Sequence, residues 1–170
     1  DREHGGADEK DVAHQIMAAE LGGAAPIVRV ASINAAEIKR SLDYSAVGVM
    51  APSVDTAEQA EALIHAVRIP PLGLRGAASS TRASRYGFGY QHYLETANET
   101  LVTMAQIESV EAVGNCVAIA RLDGIDVLFV GPTDLSASLG LPTAGEGAPF
   151  WAAVESISRA ARDTGKAAGI

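Results

Sequence analysis

The sequences VTMAQIES at residues 102–109 and DVLFVGPTDLSASLG at residues 126–140 carry the clearest strand pattern of the chain. Each holds a short apolar run rich in β-branched residues, which is typical of a buried strand. A carboxylate follows each run: Glu108 closes the first, and Asp134 follows the second after the turn-forming residues Gly131-Pro132-Thr133. The pattern predicts two neighbouring strands whose ends carry acidic side chains.

Two carboxylates at the ends of neighbouring strands predict a site for a divalent metal ion. Carboxylate oxygens are ligands that Mg²⁺ and Mn²⁺ accept, and water or substrate oxygens complete the octahedral shell. The alternative is that Glu108 and Asp134 only cap the helices that follow them, because acidic residues are common at helix N-termini. Spacing alone leaves both interpretations open.

The composition predicts one soluble, cytoplasmic domain. With 170 residues, 48% of them hydrophobic, the chain can bury one substantial core. The formal net charge of −8 argues against nucleic acid as a partner, because proteins that bind phosphate backbones usually carry basic patches. No apolar run approaches the roughly 20 residues of a membrane helix, and no signal segment opens the chain. Cys116 is the only cysteine, so it cannot form an intrachain disulfide. We expect it to be a small apolar residue buried in the core.

Strand-like and helix-like segments alternate along the chain, which favours parallel βαβ units and an α/β architecture. Polar residues recur at strand ends, as they do at the catalytic face of a (β/α)8 TIM barrel. We therefore predict a single TIM-barrel-type domain over residues 1–170. A doubly wound open sheet is the second choice, because no glycine-rich phosphate fingerprint follows any strand. Predicted strands are 26–30, 47–50, 102–107, 127–130 and one beginning near 165; predicted helices are 8–21, 34–42 (N-cap Asn34), 55–67 (N-cap Asp55), 109–119 and 150–162.

Residues 70–98 are predicted to form a long loop with at most one helical turn, near residues 93–98. The segment begins with Pro70-Pro71 and is rich in glycine, which favours turns over core elements. Long loops inside compact domains are often functional. The three arginines of this loop could bind a substrate carboxylate or could only solvate the loop; they are Arg75, Arg82 and Arg85.

Two charged residues outside the acidic pair could also carry chemistry. His4 lies near Asp1 in a glycine-flanked segment, so it could be a general base oriented by a carboxylate, or simply a solvated side chain. Arg29 ends an apolar strand, where a guanidinium needs an anionic partner. That partner could be a substrate, or Arg29 could form a structural salt bridge with Asp1, Glu3 or Asp43.

Several short motifs, in order along essentially the whole chain, resemble those of the HpcH/HpaI aldolase family. The combined pattern is more specific than any single motif. The resemblance implies a metal-dependent class II pyruvate aldolase on a TIM barrel, with Mg²⁺, Mn²⁺ or Co²⁺ as cofactor. The motifs are Glu3-His4-Gly5, Pro26-Ile27-Val28-Arg29-Val30, Pro70-Pro71-Leu72-Gly73-Leu74-Arg75-Gly76, Ala97-Asn98-Glu99, Gln106-Ile107-Glu108, Gly131-Pro132-Thr133-Asp134-Leu135-Ser136 and Gly165-Lys166.

The resemblance also implies a role for each matching residue. Glu108 and Asp134 would be the metal ligands, and Arg29 would stabilise a pyruvate enolate. His4 would be the base, paired with Asp43. The pyruvate contacts would come from Gln106 and from the backbone of Gly131, Pro132, Thr133 and Asp134, with Asp1 near a metal-bound water. The implied substrates are pyruvate and an aldehyde, and the implied assembly is a homo-oligomer, a trimer or hexamer.

The chain departs from the family pattern in three ways. Arg2 stands where the family usually has glycine, and Gly5-Gly6 lacks the proline common shortly after the histidine. A complete barrel has about 250 residues, so we expect this chain to hold only the central βα units. Two alternatives to the aldolase follow: an acyl-CoA lyase of the citrate-lyase-like branch, or an inactive fragment that acts as a binding module.

Overall fold

The computed structural model describes residues 1–170 and shows an α/β protein. Its strands are β1 (Ile27–Arg29), β2 (Gly48–Ala51), β3 (Val102–Ile107), β4 (Val127–Val130) and β5 (Ala167–Gly169). Its helices are α1 (Glu9–Leu21), α2 (Ala35–Asp43), α3 (Ala57–Val67), α4 (Tyr90–Thr100), α5 (Val110–Ala120), α6 (Pro132–Ser138) and α7 (Ala148–Asp163). The strands form one sheet in the order β1-β2-β3-β4-β5. The pairs β1–β2, β3–β4 and β4–β5 are parallel, which confirms the predicted α/β class.

Every predicted strand is present, and the bounds of β3 and β4 agree with the prediction residue for residue. The strand predicted to begin near residue 165 is β5. The longest helix, α7, has 16 residues. None of the helices combines the length and apolar character needed to cross a membrane.

The chain divides into two compact units. The first comprises Asp1–Met50 and Leu63–Val102, and the second comprises Ala51–Ala62 and Thr103–Ile170. The candidate base and arginine, His4 and Arg29, lie in the first unit, and the predicted metal ligands lie in the second.

In the first unit, side-chain caps fix the starts of two helices. Asp8 accepts hydrogen bonds from the N–H groups of Lys10 at 2.7 Å and Asp11 at 2.9 Å, and so begins α1. Asn34 accepts from Ala36 at 3.0 Å and Glu37 at 3.1 Å, and so begins α2 as predicted. Such caps satisfy N–H groups that have no partner inside the helix. The largest fully buried side chains of this unit are Ile38, Leu42, Leu63, Val30 and Val49.

The segment after α3 is more ordered than the predicted loop. A short 3-10 turn at Arg85–Gly87 leads into α4, which has 11 residues instead of a single turn. The prediction fell short because the glycine-rich composition of the segment favoured a loop, although Tyr93, Leu94 and Ala97 recur at helical spacing. Asn98 ties α4 back to the end of α3: it accepts from the Ile69 N–H at 2.8 Å and donates to the Ile69 carbonyl at 3.0 Å.

In the second unit, α5 and α7 pack beside the parallel strands β3, β4 and β5. Ser109 accepts from the Ala112 N–H at 2.9 Å and caps α5. Cys116 is buried on α5, as expected of a small apolar residue, and burial raises the pKa of its thiol. The fully buried side chains that form the core of this unit are Phe150, Ile107, Ile119, Ile125, Leu128, Leu135 and Ile157.

The start of α3 corrects one predicted cap. We expected Asp55, but the helix begins at Ala57, and Thr56 accepts a hydrogen bond from the Gln59 N–H at 3.3 Å. The Gln59 side chain accepts in return from the N–H of Thr56 at 3.0 Å, which completes a capping box. Asp55 instead accepts a hydrogen bond from the Ser109 hydroxyl. The prediction was one residue early because two overlapping cap patterns stand in the same stretch.

Candidate active site

In the second unit, the carboxyl ends of β3 and β4 lie side by side. The strand register aligns Gln106 with Phe129 and Ile107 with Val130. The Gly131 N–H donates to the Ile107 carbonyl at 3.3 Å, so Glu108 and Gly131 leave the sheet at the same level. This parallel register follows from the two apolar runs of the sequence, and it places Gln106, Glu108 and Gly131 together.

Glu108 is a buried carboxylate, with only 5% of its surface exposed. Its Oε1 accepts hydrogen bonds from the Ser53 N–H at 2.7 Å and the Ser53 hydroxyl at 3.2 Å. Its Oε2 accepts from Nε2 of Gln106. Burying a carboxylate is costly unless donors replace its lost water, and these three donors hold the group in one orientation.

Gln106 and Gly131 complete the surroundings of this carboxylate. Gln106 is 3% exposed, and its amide Oε1 is buried without a hydrogen-bond partner. A Cβ at Gly131 would collide with Oε2 of Glu108, and it would lie 2.8 Å from Nε2 of Gln106 and 2.9 Å from Cβ of Glu108. Only glycine therefore leaves room at this position for the side chains of Gln106 and Glu108.

These residues fit a hard divalent cation. A carboxylate and an amide oxygen that lacks a partner are oxygen donors of the kind that Mg²⁺ and Mn²⁺ accept. No group of three or more His, Cys, Asp or Glu side chains is arranged to hold a metal. The protein would therefore contribute one or two carboxylates, as Mg²⁺ sites often do, and water or substrate oxygens would supply the rest.

Asp134 is the second predicted ligand, and it lies in the first turn of α6. Its side chain is exposed. The N-cap of α6 is Gly131, which makes no side-chain cap bond. The interpretation of Glu108 as a helix cap is wrong, because Ser109 caps α5. The sharing of one ion by Glu108 and Asp134 stays a prediction.

In the first unit, Arg29 lies at the end of β1 and is surrounded by carboxylates. Its Nε lies 3.0 Å from Oδ1 of Asp1 and its Nη2 lies 2.5 Å from Oδ2, which makes a bidentate pair. Its Nη1 lies 2.9 Å from Oε2 of Glu3. The structure thus contains two of the three salt bridges considered from the sequence, and they hold the Asp1–Glu3 segment against β1.

His4 and Asp43 are not joined in the first unit. The His4 side chain is 65% exposed, and its Nε2 lies 3.7 Å from Oε2 of Glu3. Asp43 is the last residue of α2, and Nη1 of Arg75 lies 3.9 Å from its Oδ1. Burial raises the pKa of the Asp43 carboxyl above its ordinary value, although Arg75 and Lys39 act in the opposite direction.

Nearby arginines have structural partners that the sequence did not reveal. Arg2, the departure from the family pattern, places Nε 3.5 Å from Oε1 of Glu37. Arg75 is buried, donates to the Val67 carbonyl at 2.6 Å and to the Tyr93 hydroxyl at 2.8 Å, and lies over the Tyr93 ring. Arg82 pairs with Glu20. For Arg75 and Arg82, these contacts provide a structural explanation in place of the substrate contact considered above.

Ser53 is the neighbour of Glu108 that sequence reasoning missed. It stands 55 positions from Glu108 in the chain, and a serine after Ala51-Pro52 gives no local signal of a role. The only available sign was its place just beyond a predicted strand.

Comparison with known proteins agrees with this fold. The HpcH/HpaI aldolase/citrate lyase family matches residues 1–169. The 2-keto-3-deoxy-L-rhamnonate aldolase of Salmonella gallinarum is 42% identical over 170 residues, covering 99% of this chain and 63% of that protein. The 2-dehydro-3,6-dideoxy-6-sulfogluconate aldolase of Pseudomonas putida is 44% identical over 140 residues, covering 82% of this chain and 54% of that protein. This chain therefore spans less than two thirds of the length of these relatives.

Solved structures support the predicted architecture. A HpcH/HpaI aldolase/citrate lyase family protein from Burkholderia cenocepacia superposes with a TM-score of 0.91 at 36% identity, covering 99% of this chain and 67% of that one. The citrate synthase SbnG superposes with a TM-score of 0.88 at 31% identity, covering 99% of this chain and 65% of that one. The parallel sheet and partial coverage agree with the predicted incomplete TIM-barrel type. The chain belongs to the HpcH/HpaI aldolase/citrate lyase family.

Proposed function

We propose that this protein is a divalent-metal-dependent aldolase that cleaves or forms 4-hydroxy-2-oxo acids through a pyruvate enolate. The observation that carries the proposal is the buried Glu108 carboxylate beside the unpartnered amide oxygen of Gln106, at the carboxyl end of β3. Family membership and the names of the two aldolases described above support the same reaction class.

The proposed ion would be held by Glu108 and Asp134. When bound, a Mg²⁺, Mn²⁺ or Co²⁺ ion supplies Lewis-acid chemistry toward the 2-oxo acid. Gln106 would contact the pyruvate moiety through an N–H of its amide, because the oxygens of pyruvate accept hydrogen bonds. The Gly131-Pro132-Thr133 backbone would offer an N–H group to the substrate from Thr133, because proline has none and the Gly131 N–H donates to the Ile107 carbonyl at 3.3 Å.

Arg29 would offset the negative charge that develops on the enolate oxygen. A fixed guanidinium is effective for this task because it needs no reorganisation as charge appears. The bidentate pair with Asp1 at 3.0 and 2.5 Å fixes the guanidinium in advance. Asp1 and Glu3 therefore position Arg29 in this proposal.

His4 would take the proton of the 4-hydroxyl group, directly or through water. Imidazole suits this role because its unperturbed pKa is close to neutral pH. Its exposed side chain is accessible to a substrate. The Asp43 carboxylate, the proposed partner of His4, lies 3.9 Å from Nη1 of Arg75.

A retro-aldol assay tests the proposal. The purified protein would be offered 4-hydroxy-2-oxo acids, including 2-keto-3-deoxy-L-rhamnonate, and released pyruvate would be measured. We expect chelation to abolish turnover and Mg²⁺, Mn²⁺ or Co²⁺ to restore it. Glu108→Ala and Asp134→Ala should each lower turnover and metal affinity by at least about 100-fold, since even outer-shell changes lower them by 10- to 100-fold. Ser156→Ala is the control, because its hydroxyl bonds only to the Ala152 carbonyl of its own helix at 3.0 Å.

The same assay separates the aldolase from its alternatives. If both acidic variants keep wild-type turnover and metal affinity, the ligand assignment is wrong. Turnover of an acyl-CoA substrate without pyruvate release would favour the acyl-CoA lyase. A folded protein that binds no metal and turns over neither substrate class would favour the inactive binding module.

We also propose that the protein is a cytoplasmic homo-oligomer, a trimer or hexamer. The resemblance to the HpcH/HpaI aldolase family supports this proposal. Light scattering after size-exclusion chromatography tests the assembly, and cell fractionation tests the location.

A further inference from the structure

Ser53 contacts the Glu108 carboxylate with two donors. Its backbone N–H lies 2.7 Å and its hydroxyl 3.2 Å from the same oxygen, Oε1 of Glu108. Both residues belong to the second unit. Two donors on one carboxylate oxygen restrict rotation of the group far more than a single flexible contact would.

The backbone of Ser53 is in the left-handed region, with φ of 52°. Residues other than glycine, asparagine and aspartate rarely adopt this conformation. It persists only where surrounding contacts maintain it. Here it aims the Ser53 N–H at Glu108. The strained residue and the buried carboxylate therefore belong to one arrangement.

Residues 53–55 are held in place on both sides of Glu108. The Val54 N–H donates to the Gln106 carbonyl at 3.2 Å. The Asp55 side chain accepts from the Ser109 hydroxyl, and its carbonyl accepts from Nδ2 of Asn115 at 2.8 Å. These bonds fix the segment against the end of β3 and the start of α5, so it is a rigid support for Glu108.

The two oxygens of Glu108 have different surroundings. Oε1 accepts from Ser53, whereas Oε2 accepts from Gln106 and packs against Gly131, where a Cβ would collide with it. We propose that Ser53 is a positioning residue, which holds Oε1 so that Oε2 is directed toward Gln106 and Gly131 for cation binding. This inference rests on the proposed function, in which Glu108 is a metal ligand.

Two substitutions separate the contributions of Ser53. Ser53→Gly keeps the left-handed backbone and its N–H but removes the hydroxyl. Ser53→Val removes the hydroxyl and also disfavours the left-handed backbone, because β-branched residues are outliers at positive φ. Ser53 is exposed, so neither change opens a cavity in the core. The matched controls are Ser45→Gly and Ser45→Val, since Ser45 is a serine with φ of 79° in the first unit.

Mn²⁺ affinity, measured by electron paramagnetic resonance of free Mn²⁺, is the first readout. We expect affinity to fall about tenfold in Ser53→Gly and about 100-fold in Ser53→Val, the range for residues that orient a metal ligand. The Ser45 variants should bind Mn²⁺ like the wild type. Wild-type affinity in both Ser53 variants, with affinity lost in Glu108→Ala, would overturn the positioning role. If Ser53→Val does not fold, Ser53→Gly decides.

Crystal structures of the metal-free proteins are the second readout, and they separate this inference from the proposed function. If the wild type binds no Mn²⁺, the proposed metal-dependent function fails. The positioning role then stands only if the Glu108 side chain leaves its wild-type rotamer in the Ser53 variants and keeps it in the Ser45 variants. An unchanged Glu108 rotamer in Ser53→Val would overturn the role whatever the metal affinity.

Discussion

Glu108 and Arg29 both carry charge at the carboxyl end of a parallel strand, but their surroundings differ. Glu108 is 5% exposed and is held by neutral donors from Ser53 and Gln106. The Arg29 side chain is 26% exposed and is held by two opposite charges, Asp1 and Glu3. The donors of Ser53 and Gln106 orient the Glu108 carboxylate, whereas Asp1 and Glu3 offset the positive charge of Arg29.

The geometry supports the functional assignment of Glu108 more directly than that of Arg29. A buried carboxylate and a neighbouring amide oxygen without a hydrogen-bond partner offer the oxygen donors that a hard cation accepts. A guanidinium that faces two carboxylates already has a structural explanation, so its catalytic role is decided by the kcat of an Arg29 variant.

Gly131→Ala should have the largest effect, because it acts where the Glu108 surroundings are most crowded. The new Cβ would collide with Oε2 of Glu108 and lie 2.8 Å from Nε2 of Gln106. We expect Mn²⁺ affinity to fall about 100-fold and the free energy of unfolding to fall by about 1–3 kcal/mol, as in other overpacked sites. Titration with Mn²⁺ and urea denaturation measure the two effects.

Gly114→Ala is the matched control for this substitution. Gly114 is an exposed residue inside α5, and a Cβ there would meet nothing within 4 Å. Alanine should stabilise the helix by about 0.5–1 kcal/mol and leave Mn²⁺ affinity unchanged. Wild-type Mn²⁺ affinity in Gly131→Ala would show that cation binding does not depend on the Glu108 and Gln106 side-chain positions that Gly131 permits.

Arg29→Lys tests whether Arg29, at the end of β1, has a catalytic role in addition to its salt bridges with Asp1 and Glu3. Lysine keeps the positive charge but cannot reproduce the bidentate contact with Asp1 at 3.0 and 2.5 Å. Partly exposed ion pairs contribute about 0–1 kcal/mol, so unfolding free energy should change by no more than that. Loss of a preorganised donor should still lower kcat about tenfold, less than the 100- to 1,000-fold seen when an oxyanion donor is removed outright.

Arg159→Lys is the control for this prediction. Arg159 lies on α7 and pairs with Glu155 at 2.9 Å in an exposed i,i+4 arrangement. The Arg159→Lys substitution should change neither kcat nor the free energy of unfolding measurably. If Arg29→Lys also keeps wild-type kcat, Arg29 acts only through its salt bridges with Asp1 and Glu3.

Local sequence patterns were sufficient for the strands but not for every helix or for all contacts. β3 and β4 were predicted residue for residue because mostly apolar runs end at polar or turn-forming residues. The Asp55 cap prediction was wrong because Thr56, one residue later, carries the same cap spacing, and Asp55 instead accepts a hydrogen bond from the Ser109 hydroxyl. α4 was underestimated because the glycine-rich composition of residues 70–98 favoured a loop.

The same limit applies to the candidate site. Glu108 and Asp134 could be proposed as ligands because each follows its own strand pattern. The contact between Ser53 and Glu108 could not be predicted, because the two residues are 55 positions apart in the sequence. No sequence motif indicates the left-handed backbone conformation of Ser53. The partner of Asp43 was expected to be His4, whereas Arg75, 32 positions along the chain, lies beside it.

Asp43→Asn should have the smallest effect on stability, and that effect depends on pH. Burial raises the pKa of Asp43 above its ordinary value of 3.8, although Arg75 and Lys39 oppose the shift. The folded state therefore holds this proton more tightly than the unfolded state, so ionisation of Asp43 lowers stability as pH rises from about 3.8 through the folded pKa. Asparagine cannot ionise, so the variant should gain stability relative to the wild type at pH 7 and lose that advantage below pH 3.8.

Thermal denaturation of both proteins at the two pH values measures the difference, and the exposed Asp163→Asn is the control. An Asp43→Asn protein less stable than the wild type at pH 7 would show that the 3.9 Å contact with Arg75 outweighs the burial of the carboxylate.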